Sequence, residues 1–68
     1  MTDTVKLMEA IKNKGLKRGY IALKLGIDRS TFWKKATNQA EFVASEIAAL
    51  SDLLGLSTEK KDEIFFKV

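Results

Sequence analysis

Between positions 29 and 34 the chain places Arg29, Ser30, Trp33 and Lys34, a guanidinium, a hydroxyl, an indole and an ammonium within two helical turns. With the intervening Phe32 turned inward, helical spacing brings these four to the opposite, outer side. Such a set does not perform acid–base or nucleophilic chemistry; it recognises. The fork of an arginine can bind O6 and N7 of a guanine together, and a hydroxyl can meet a base or a phosphate. Arg29, in the first turn, is the best candidate for reading a base edge, with Ser30 beside it and, one turn on, Lys34, which can reach either a guanine or the backbone. Trp33 has two readings: contact with a thymine methyl or a sugar, or cover over its own helix against the polar segment that follows. Lys17, Arg18 and Lys35 flank the group and suit phosphate contacts, and Asn38 joins them at the far end.

Other chemistries are excluded by what is missing. The chain has no Cys and no His, so thiolate or imidazole catalysis and the usual zinc ligand sets are ruled out. Asp, Glu, Lys and Ser remain, but no spacing among them forms a catalytic group; no enzyme activity, metal, cofactor or small-molecule substrate is expected. The absence of Cys fits a reducing compartment. The first fourteen residues, MTDTVKLMEAIKNK, contain neither a charged segment before an apolar block nor an uninterrupted apolar run, so neither a signal peptide nor a membrane span is expected and a cytoplasmic location is the default.

Charge is distributed unevenly. Residues 1 to 38 carry nine Lys and Arg against three acids, and residues 39 to 68 carry three Lys against six acids. The halves thus differ in sign, which points to a basic face for a polyanion and a second half that serves structure or partner contact. With 68 residues, one small core is the limit. A single domain over 1–68 follows. Without a disulfide or a metal, it must rely on efficient helix packing or on association.

The elements that must position the recognition group read as five helices and no strand. Residues 4 to 14 repeat apolar positions at Leu7, Met8 and Ile11 and stop at Gly15. A second helix runs from Arg18 to Leu25, with Ile21, Ala22 and Leu25 on one face, and Gly26 ends it in the left-handed conformation that a sharp turn requires. Asp28 then stands at an N-cap, where its carboxylate can accept backbone N–H bonds, so a third helix spans Arg29 to Ala36. A fourth covers Ala44 to Leu54 on the stripe Ile47, Leu50, Leu53 and Leu54, with Glu46 able to reach back to the backbone of Val43, itself a poor cap. Ser57 caps the last helix, from Thr58 to about Phe66, with Glu59 at its positive end.

In RGYIALKLGIDRSTFWKK, the small Ala22 lets two helices approach, Gly26 turns the chain, Ile27 enters the core and Phe32 anchors the third helix from inside. These are the packing requirements of a helix-turn-helix over residues 18 to 36. The run Leu16 to Lys35, with Ala22, Gly26, Ile27, Ser30-Thr31 and Phe32, resembles the Cro/repressor-type (XRE) helix-turn-helix domains of phages and bacterial regulators. STFWKK followed by EFVASEIAALSDLLGLS and a terminal EIFF is similar to a subset of short, single-domain phage regulators. The resemblance implies a five-helix repressor-like all-α fold, operator DNA bound as a homodimer, and a role in choosing between lysogenic and lytic growth. It places the base-facing positions on Arg29, Ser30 and Lys34 and the phosphate-contacting start of the second helix on Lys17 and Arg18.

The chain also departs from that pattern. Lys17-Arg18-Gly19 stands where a Thr or Ser cap followed by Gln is usual, which removes a cap and puts a Gly in the first turn at a cost of up to ~1 kcal/mol. Thr37-Asn38 replaces the usual Asn-Gly, so Asn38 is expected to supply the left-handed residue. Val43 replaces a capping Thr. These departures motivate a second reading: an antirepressor or co-repressor that binds a companion phage repressor through the apolar end Ile64, Phe65 and Phe66. Against it stands the simpler expectation that Ile64 and Phe65 close the core.

Overall fold

The structure, a computed structural model, describes residues 1–66. Five helices follow one another: α1 (Thr4–Lys14), α2 (Arg18–Leu25), α3 (Arg29–Ala36), α4 (Ala44–Leu54) and α5 (Thr58–Phe65), with no strand among the described residues. Each forms where apolar spacing and a terminal signal agree. In α1, Leu7 and Ile11 are buried one turn apart, and Asp3 Oδ1 accepts from the Lys6 N–H at 3.1 Å. Ser57 caps α5 in the same way, its hydroxyl accepting from the Lys60 N–H at 3.1 Å. α5 stops at Phe65, one residue before the expected end, and Phe66 forms its C-cap.

The core is a single apolar cluster. Leu7 and Ile11 of α1, Ile21 and Ala22 of α2, Phe32 and Ala36 of α3, Leu50 and Leu54 of α4, and Ile64 and Phe65 of α5 meet in it. Phe42, from the α3–α4 connection, bridges the two halves of the chain: its ring lies 5.9 Å from that of Phe32 and 5.6 Å, edge-on, from that of Phe65. Such tilted and edge-to-face pairs stabilise beyond the area they bury. This aromatic file is what presses α3 onto the rest of the molecule.

The N-terminus is fastened at two places. The Asp3 N–H donates to the Ile64 carbonyl at 2.6 Å, and the backbone of Thr2 exchanges two bonds with the side chain of Asn38, at 2.9 and 2.8 Å. A third link runs from the Thr4 hydroxyl to the Ala36 carbonyl at 2.5 Å. The end of α3 is therefore held by residues from the start of the chain.

Candidate nucleic-acid interface

The helix-turn-helix is built around Gly26. At φ 74° it takes the left-handed conformation, and the backbone doubles back as the Ile27 N–H donates to the Ala22 carbonyl at 3.0 Å. Ile27 packs at the edge of the core and Phe32 is fully buried, so the inner side of α3 is fixed. Helical geometry then decides the rest: Arg29, Ser30 and Lys34 are exposed on the outer side, as the spacing predicts.

Asp28 occupies the N-cap position of α3 in extended conformation, but its carboxylate makes no cap hydrogen bond. This corrects the expected bond. At an exposed helix start, water serves the carboxylate and the free N–H groups alike, and the acidic charge still favours the positive helix end through space.

Lys17 and Arg18, both exposed, open α2, whose N-cap position at Lys17 has no side-chain cap. They line an open groove with Lys12, Gly19, Arg29 and Trp33, floored by Met8, Ile11 and Leu16. Four cations, from α1, the N-cap and first residue of α2, and α3, thus converge there, and no carboxylate among the described residues lines it. Within the groove the two arginines rest on different supports. The stem of Arg29 passes over Gly19, where an added Cβ would lie 3.7 Å from the Arg29 Cδ, while the Arg18 guanidinium lies 3.9 Å from the centre of the Trp33 ring.

Five expected site residues have other duties. Trp33 is half-buried and packs against the core, with a ring face covered by Arg18; of its two readings, cover over α3 matches this placement, and the residue also lines the groove. Lys35 is no free phosphate clamp, because its ammonium donates to both oxygens of Glu46 at 2.6 and 2.8 Å. Those side chains are only 15% and 10% exposed, so the charge is used internally. Asn38 has both ends of its amide engaged by Thr2; it does supply the expected left-handed residue, at φ 66°. The proposed partner surface also shrinks: Ile64 and Phe65 are buried at 1% and 4% exposure, and only Phe66 stands out. A small domain needs those two residues inside.

Glu46 is the residue that sequence reasoning placed only in part. It was expected at the Val43 backbone, and the Val43 N–H does donate to its Oε1 at 2.9 Å. Its second duty, toward Lys35, had no local signal. Burial pushes the Glu46 carboxyl up, but the hydrogen bonds from Lys35 and Val43 and the lysine charge outweigh it and hold the group below its ordinary range.

No family model, curated protein or solved structure matches the chain. No helix among the described residues is long and apolar enough to cross a membrane.

Proposed function

We propose that this chain is a double-stranded DNA-binding transcriptional regulator that lays α3 in the major groove. The observation that supports this is the convergence of Lys12, Lys17, Arg18 and Arg29 on one groove that no carboxylate among the described residues lines, beside the exposed Arg29, Ser30 and Lys34 of α3. On this reading Lys17 and Arg18 contact phosphates and release counterions, which supplies affinity. Arg29, Ser30 and Lys34 meet base edges, which supplies choice. α3 presents its N-terminal residues to the groove, as recognition helices do. The resemblance to short phage regulators extends the proposal to operator binding by a homodimer in the control of lysogeny.

The test is selection of bound duplexes from a random-sequence pool, followed by titration of the selected duplex at several salt concentrations. A recovered consensus with affinity falling steeply as salt rises supports the proposal; binding with no consensus, or none at low salt, removes it. On the selected site, Arg29→Ala should relax preference at one base pair by about 1 to 3 kcal/mol.

A further inference from the structure

We propose that Trp33 is a positioning residue, a platform that holds the Arg18 guanidinium ready for a DNA phosphate; this rests on the DNA-binding reading above. The Arg18 guanidinium carbon is 3.9 Å from the indole centre, while Arg18 is exposed and Trp33 is half-buried and anchored against the core. The two side chains come from different helices, Arg18 from the first position of α2 and Trp33 from the middle of α3.

The geometry matters because of which part of the arginine it engages. Stacking uses the flat face of the guanidinium, whereas all five N–H donors point outward in its plane. An arginine held by a carboxylate has its donors taken and its charge offset. An arginine held by a ring keeps both. The chain shows the contrast within itself, since Lys35 is held by Glu46 through its donors. Without the ring, a free arginine would have to give up its rotamer freedom at the moment of binding. The stack meets part of that demand in advance and leaves the fork open toward the groove that Lys12, Lys17 and Arg29 also line.

The stack also ties down a weak point. α2 begins without a side-chain cap, and its first residue is instead fastened to α3 through the ring. The start of α2 and the outer face of α3 are therefore positioned as one unit.

The experiment is a double-mutant cycle read by fluorescence anisotropy of a labelled random-sequence duplex of about 20 base pairs at low salt. Trp33→Leu removes the ring and keeps apolar bulk, Trp33→Phe keeps a smaller ring face, and Arg18→Ala removes the cation. Trp33→Leu should weaken binding about two- to five-fold when Arg18 is present. It should have no further effect in the Arg18→Ala background, and Trp33→Phe should stay nearer the wild type. Thermal melting of each variant reads packing separately, and there both Trp33 variants should fall. In the free protein, Arg18→Ala should change the emission of Trp33, the only tryptophan in the chain.

Equal weakening by Trp33→Leu in both arginine backgrounds would assign Trp33 a direct contact or a packing role and overturn the proposal. An unchanged emission in Arg18→Ala would overturn it as well, because the stack would not exist in solution. If the wild-type protein binds no duplex, the DNA-binding reading itself fails, an outcome distinct from a wild type that binds with no coupling between the two residues.

Discussion

The two ends of α3 are made of similar residues and are treated in opposite ways. At its start, Asp28 makes no cap bond, and Arg29 and Ser30 are exposed. At its end, Lys35 is gripped by Glu46, the Ala36 carbonyl accepts from Thr4, and the following Asn38 clasps Thr2. One end is left available and the other is moored. The difference teaches that a lysine's position on a basic helix does not make it available to a ligand. What decides availability is whether another element brings a carboxylate to it.

The largest effect should come from breaking the moored end. Glu46→Ala strips the Val43 N–H of its acceptor and leaves the Lys35 ammonium half-buried and unpaired, a loss of about 2 to 4 kcal/mol. In a domain of this size the thermal midpoint should drop by more than about 8 °C, whereas Arg29→Ala at the free end should change stability by no more than about 0.5 kcal/mol. The same pair sets a pH dependence. The folded Glu46 carboxyl lies below its ordinary value, so its contribution is fully present above the unfolded value and is lost as pH falls through the folded one. Urea midpoints should therefore decline on acidification below about pH 5, less steeply in Glu46→Gln. Equal slopes in the two proteins would assign the acid sensitivity elsewhere.

Next in size is Asn38. Asn38→Ala loses two hydrogen bonds to Thr2 and sets an alanine at φ 66°, for about 2 to 3 kcal/mol. Asn38→Gly keeps the backbone conformation at ease and should cost about 1 kcal/mol less in chemical denaturation. If both variants cost the same, the left-handed backbone contributes little and the clasp carries the effect.

The comparison sharpens further at two adjacent lysines. Lys34 is exposed, and Lys35 is paired. Lys34→Ala should relax preference at one base pair of the selected site by about 1 to 3 kcal/mol. Lys35→Met, which keeps the apolar stem, should leave that preference unchanged while lowering the melting temperature. A reversed pattern would contradict the division of labour between the two lysines.

The smallest effect is a gain. Gly19 has ordinary room for a methyl group, 3.7 Å from the Arg29 Cδ, and sits in the first turn of α2. Gly19→Ala should stabilise by about 0.5 to 1 kcal/mol in thermal or urea unfolding. A loss instead would mean that Arg29 requires the open slot.

The limits of α1 to α4 and the outward placement of Arg29, Ser30 and Lys34 were legible in advance, because they depend on signals a few residues apart. Apolar positions three and four residues apart choose the buried side of each helix, and Gly15, Gly26 and Gly55 end three of them in left-handed conformation. Phe42 was missed as a core residue because it lies in a connection, where no periodicity marks it, and only its neighbours Phe32 and Phe65 reveal its role.

By itself, then, the sequence determined an all-α chain with a sharp turn at Gly26 and a cation-bearing outer face on α3. Tertiary structure alone decided which of the expected contact residues are available: Glu46 takes Lys35, Thr2 takes Asn38, and Trp33 receives Arg18. The physical reason is one of range. Helical periodicity sets the direction of a side chain about its own axis, but a charge is engaged or left free by whatever the neighbouring element carries there, and that follows only from how the helices pack.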